Sequence, residues 1–79
     1  MAMSENGKIV LKHLQENIGT DETAVMIAEK LGMPARTVNG VITMALQRPG
    51  FVERIEVENI DKKVIRLTPA GKAFNPDEE

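Results

Sequence analysis

Val10, Leu11, Leu14 and Ile18 recur at helical spacing, with Lys8, Lys12, Gln15 and Glu16 on the opposite side. An apolar stripe facing a polar one predicts an amphipathic helix from about Gly7 to Asn17, ended by Gly19. Thr20, Asp21 and Thr23 are all good N-cap types, and Val25, Ile27, Ala28 and Leu31 share one apolar side after them. A second helix over about 24–31 follows, closed by Gly32. Pro34 suits a helix's first turn, and Val38, Val41, Ile42 and Ala45 or Leu46 give a third inward stripe up to about Gln47.

One local signal competes with the third helix. Thr37-Val38-Asn39-Gly40-Val41-Ile42 sets β-branched residues around Asn-Gly, which alone is a strong hairpin signal. The helix is preferred because the preceding helix, glycine turn and proline form a longer consistent pattern than six residues do. Arg48-Pro49-Gly50 then breaks the chain. Beyond it Ile55 and Val57 alternate with Glu56 and Glu58, as in a half-buried strand from Phe51 to Glu58. Asn59 to Lys62 reads as a turn, and Val64 to Leu67 returns as the second strand of a hairpin. Thr68-Pro69 is a cap with proline behind it, so 70–74 is expected to add a short helical turn that docks Phe74 on the core.

The 79 residues fit one domain, and 42% hydrophobic with 28% charged residues is the balance of a folded soluble protein. The expected organisation is a flexible leader over 1–6, one domain over 7–74 and an acidic tail over 75–79. No apolar run reaches the roughly 18 to 20 residues that cross a bilayer, and no signal segment opens the chain, so it is placed in the cytoplasm without a membrane partner. The absence of cysteine excludes disulfides and thiolate zinc sites.

A formal charge of -2 weighs against nucleic acid, because non-specific affinity grows with the cations set against phosphate. The distribution softens this. Asp77, Glu78 and Glu79 are three of the twelve acids, and without them nine acidic residues face ten basic ones. The folded part is neutral rather than basic.

Three helices followed by a hairpin is the order of a winged helix-turn-helix, an α+β fold, and here the residues themselves carry a resemblance. Thr23 to Val52, TAVMIAEKLGMPARTVNGVITMALQRPGFV, resembles the helix-turn-helix of MarR-type transcription regulators: a capped helix with Ile27-Ala28, a Leu31-Gly32-Met33 turn, then Arg36-Thr37-Val38. Leu67-Thr68-Pro69-Ala70-Gly71-Lys72-Ala73 is similar to the segment that follows the wing in that group. Two departures stand out. Arg48-Pro49-Gly50 places the glycine before the wing one residue later than the family pattern, and the long flanking helices by which MarR-type proteins dimerise have no counterpart here.

The resemblance implies sequence-specific binding to double-stranded DNA by a small bacterial or phage regulator, with the third helix in the major groove and the wing on the backbone. Carried over residue by residue, Arg36, Thr37, Asn39, Gly40, Thr43 and Gln47 become the reading face. Asn39 suits an adenine edge, Arg36 guanine or phosphate, and Thr43 a thymine methyl or phosphate, while Gly40 admits close backbone approach. Lys62, Lys63 and Arg66 suit phosphate from the wing, with Arg54, Lys8 and Lys12 as further cations. The plainer reading is that a polar outer face is ordinary for a surface helix and that lysines on a hairpin suppress edge aggregation. Glu53, Glu56, Glu58 and Asp61 share the hairpin and repel phosphate, so only part of the wing faces DNA. A homodimer is one partner implied by the resemblance; the competing class is a winged helix that docks on a protein.

Catalysis finds little material. His13 is the single histidine and Ser4 the single serine, with Ser4 in the expected leader and His13 expected on the surface of the first helix. No glycine pattern cradles phosphate, no cofactor or metal site is expected, and Phe51 and Phe74 are both assigned to the core, leaving no stacking platform for single strands. The expectation is a binding protein and not an enzyme.

Overall fold

The computed structural model describes residues 4–76. Its element order is α1 (Glu5–Glu16), α2 (Ala24–Leu31), α3 (Ala35–Val41) running into a π-helical segment (Ile42–Gln47), β1 (Val52–Ile55), β2 (Val64–Leu67) and α4 (Pro69–Ala73). The stretch around Asn39-Gly40 is thus helical, and the competing hairpin reading fails. Local turn chemistry loses here to a stripe that buries Val38, Ile42 and Leu46 completely.

Helix α1 starts earlier than expected because Ser4 caps it, its hydroxyl accepting from the Gly7 amide at 3.1 Å. The leader reading of 1–6 is corrected accordingly: residues 4–6 belong to the helix and its cap. Met1 to Met3 lie outside the described residues, as do Asp77 to Glu79 of the expected tail, whereas Pro76 is buried. The helix ends at Glu16, so Ile18 falls in the following turn and is 58% exposed instead of inward. Of three candidate caps for α2, Thr23 is used, accepting from the Met26 amide at 3.3 Å, and Gly32 closes the helix in the left-handed conformation. Val25, in the first turn of α2, is turned outward and not into the core.

The first hairpin strand is shorter than the alternation suggests. Pairing runs from Val52 opposite Leu67 to Ile55 opposite Val64, and Glu56 to Glu58 lie beyond it. The inward set also shifts phase: Val52 faces the helices together with Leu67, while Val64, opposite Ile55, is buried outside the main cluster. That cluster joins Val10, Leu11 and Leu14 of α1, Ile27 and Ala28 of α2, Val38, Ile42 and Leu46 of the third helix, and Val52, Ile65 and Leu67 of the hairpin.

Two further ties fix the wing to the helices. The Ile65 amide donates to the Glu22 carbonyl at 2.8 Å, an isolated antiparallel bridge that adds the segment before α2 to the sheet. Behind β2, Thr68 caps α4, and the Phe74 ring stacks on Phe51 with centroids 4.5 Å apart. Gln15 reaches over from α1, its amide donating to the carbonyls of Gly71 at 2.9 Å and Phe74 at 2.7 Å. The π-helical segment, wound wider than an α-helix, lies directly before Arg48-Pro49-Gly50, where the sequence resemblance places one residue more than the family pattern.

Candidate nucleic-acid interface

An open cleft of about 510 Å³ separates the start of α2, the outer side of α3 and the wing. Arg36 and Asn39 enter it from α3, Arg54 from β1, and Lys62 and Lys63 from the wing tip. Four cations therefore converge from three segments that are distant in sequence. None of the residues lining the cleft is acidic; Glu53, Glu56, Glu58 and Asp61, although on the same hairpin, do not line it. At the separations of a cleft this size, like charges reinforce one another within a Debye length of about 8 to 10 Å.

Arg54 shapes the helical wall. It lies on the helix-facing side of β1, two residues after buried Val52 and opposite the core residue Ile65. Its guanidinium spans three successive positions of the outer face. Nε donates to Gln47 Oε1 at 3.0 Å, and Nη2 donates to Asn39 Oδ1 at 3.0 Å and to Thr43 Oγ1 at 2.9 Å, with the Asn39 carbonyl at 3.4 Å. The expected reading residues Asn39, Thr43 and Gln47 are thus brought together by one clasp, and Arg36 and Gly40 are exposed on the same helix. Thr37 is half-buried and does not line the cleft.

This arrangement has counterparts among solved structures. MepR of Staphylococcus aureus, described as a transcription regulator of the multidrug efflux pump MepA, superposes with a TM-score of 0.78 at 24% identity over 89% of this chain and 50% of its own. The complex of MepR with DNA gives 0.77 at 21% identity over 89% and 56%. A MarR family regulator from Neisseria meningitidis gives 0.73 at 33% identity over 90% and 49%. This is the winged-helix fold of MarR-type regulators. The chain spans about half the length of those structures. No protein-family model matches it, and no curated protein matches its sequence.

Not every expected contact of the winged helix gathers at the cleft. Arg66 lies opposite Glu53 on β2 and donates to Asp21 Oδ1 at 2.7 Å, lining a separate and smaller hollow of about 190 Å³ with Lys72. Its charge is answered by Asp21, so it does not extend the cationic surface. Among the described residues no group of three or more His, Cys, Asp and Glu side chains is placed to hold a metal ion, and no helix is long and apolar enough to cross a membrane.

The largest surprise against the sequence lies in the segment that leads into α2. Glu22 is 1% exposed, and its carboxylate meets His13 Nε2 at 3.1 Å and Lys30 Nζ at 2.9 Å. His13, expected on the surface, has only 11% of its side chain exposed. Because a carboxylate only accepts, Nε2 carries the proton in this bond, and Nδ1 is left facing the Asn17 amide at 3.5 Å. Burial raises the Glu22 pKa, but the hydrogen bonds and charges of Lys30 and His13 outweigh it and hold the carboxyl below its ordinary value. The same residue bridges to Ile65 through its backbone, so one acid joins α1, α2 and the wing.

Proposed function

We propose that the chain is a DNA-binding transcription regulator that grips a duplex between α3 and the wing. The observation that carries this reading is the cleft in which Arg36, Arg54, Lys62 and Lys63 converge without a lining carboxylate. Support comes from the likeness to MepR, which has been solved with DNA. In this reading Arg36, Asn39, Gly40, Thr43 and Gln47 meet the major groove, and Lys62 and Lys63 meet phosphate. A second copy of the chain on the same site is the partner that the family resemblance implies, and the bacterial cytoplasm is where such a duplex is met. The role is binding, with no reaction assigned.

The number of available cations sets the expected salt dependence. Three to five phosphate contacts give log K a slope of roughly -3 to -5 against log salt, since each contributes about -0.9. Changing Lys62 and Lys63 together to Ala is expected to weaken binding to every sequence alike and to lower the slope by up to about two units. A fluorescence titration of mixed-sequence duplex over a range of salt measures both. If the double variant binds as the parent does, the wing does not touch phosphate. If the parent binds no duplex at low salt, a protein-docking winged helix becomes the better reading.

A further inference from the structure

Along the third helix burial repeats every four residues. Val38, Ile42 and Leu46 are fully buried, Val41 and Ala45 are half-buried against the core, and the two positions between each buried residue and the next half-buried one are exposed. In an α-helix residues four apart drift by about 40° around the axis, since a turn takes 3.6 residues. The wider winding over Ile42–Gln47 removes much of that drift and keeps each set in one row. Asn39, Thr43 and Gln47 form the row on the wing side, which is why one guanidinium reaches all three. The row opposite the core is Arg36, Gly40, Met44 and Arg48, every one of them exposed. We infer that Met44 is a specificity-determining residue of this row, which sets its thioether chain against the 5-methyl group of a thymine in the major groove.

A lone exposed apolar side chain is ordinary on a protein surface, but the setting of Met44 is not. It is 57% exposed in the outermost row, one turn after Gly40 and one turn before Arg48. Gly40 adds no side chain of its own, so Met44 alone stands between the two arginines. No acidic residue occurs between Glu29 and Glu53 in the sequence, and among the described residues neither Arg36 nor Arg48 is in an ion pair. The row thus carries two unanswered positive charges around an apolar centre. That order fits a polyanion whose charged backbone flanks an apolar group. In the major groove thymine is the base that presents one, its C5-methyl, whereas the other edges are donors and acceptors. A thioether has no donor and only a weak acceptor, so a hydrogen-bonding edge offers it little, while the methyl group offers apolar area to bury. The unbranched chain of methionine adapts to such a contact.

This inference rests on the proposed duplex binding, and its test separates the two. Duplexes are first selected from a random pool by the parent protein at low salt. In the recovered sequence each thymine is then replaced in turn by uracil, which removes the methyl group and nothing else. At one position the parent is expected to lose about fourfold in affinity, the worth of one buried carbon of this size. Met44→Ala should bind the thymine and uracil duplexes alike at that position, and Met44→Leu, which restores apolar area, should recover the gap. A general fall in affinity or stability changes both duplexes together and does not close the gap, so a merely structural role for Met44 is distinguished. The same comparison separates Met44 from Thr43, whose methyl group is untouched in Met44→Ala. Because the side chain is largely exposed, both variants should melt near the parent's temperature. A recovered pool without sequence preference, a parent that binds every uracil duplex as tightly as the thymine one, or a gap that persists in Met44→Ala overturns the inference while duplex binding stands. If no duplex is retained by the parent at low salt, the DNA-binding reading falls and takes the inference with it.

Discussion

Replacing Glu22 with Ala is expected to lower the stability of the domain by about 3 kcal/mol, the lower end of the cost of breaking a buried charge pair. The lower end applies because Lys30 is half exposed and regains water, whereas His13 stays largely enclosed and loses the acceptor for its Nε2 proton. In a domain of this length, whose whole stability is of the order of 5 kcal/mol, that loss leaves about 2 kcal/mol and raises the unfolded fraction from roughly 0.02% to a few per cent. Glu22→Gln keeps the shape and one acceptor and should cost less. It also isolates the pH dependence. Because the folded carboxyl titrates below its ordinary 4.5, the unfolded chain binds protons first as pH falls, and the stability Glu22 supplies is present above that value and lost below it. Thermal melts of the parent and Glu22→Gln should differ most at neutral pH and converge in acid below about 4.5. A difference that stays constant across that range contradicts the ion-pair account.

Gly71→Ala and Gly40→Ala are expected to act in opposite directions, although the chemical change is the same. A Cβ at Gly71 falls inside contact distance of the Phe51 carbonyl and 3.0 Å from Leu67 Cδ2. The carbonyl cannot swing away, since it accepts from the Thr68 amide at 3.0 Å. Relief requires α4 to lift, which breaks the Gln15 bonds to Gly71 and Phe74 and separates the stacked rings of Phe51 and Phe74. The loss should reach about 3 kcal/mol, the upper range for overpacking. Gly40 sits inside α3, and a methyl group there would meet nothing within 4 Å, so alanine should add about 0.5 to 1 kcal/mol by restricting the unfolded chain. If the backbone at Gly40 approaches DNA closely, the same variant binds duplex more weakly while melting higher. Denaturant unfolding of both variants reads the two signs directly; a neutral Gly71→Ala would show that α4 does not pack as described.

The helices are legible in the sequence because their signals are local. Three apolar stripes, the Thr23 cap, Gly32 and the Thr68-Pro69 start all act within a few residues, and apart from Ile18 and Val25, which turn outward, each appears where the sequence places it. What the sequence hides depends on distant partners. Glu22 reads as one more acid in a polar turn, and only His13 and Lys30, nine and eight positions away along the chain, make its burial tolerable. His13 is hidden with it, since a histidine beside a lysine on a polar helix face looks solvated until the acid is in place. Arg54 reads as a wing cation available to phosphate, but its reach to Asn39, Thr43 and Gln47 follows from strand register, which is shifted by one residue from the alternation of Ile55 and Val57. The charge pattern mixes cations and acids on one hairpin. Folding sorts them, with Lys62 and Lys63 turned to the cleft and Arg66 turned to Asp21.

The proposed role depends most on the cleft between α3 and the wing being the surface that meets DNA. Amide and side-chain chemical shifts followed by NMR during titration with a short mixed-sequence duplex at low salt test this residue by residue. Shifts are expected at Arg36, Asn39, Gly40, Thr43, Lys62 and Lys63, with the Arg54 guanidinium signals among the most affected. Asp21, Arg66 and Lys72, around the smaller hollow, should stay still. Shifts centred on that second group, or none anywhere at saturating duplex, contradict DNA binding through the cleft.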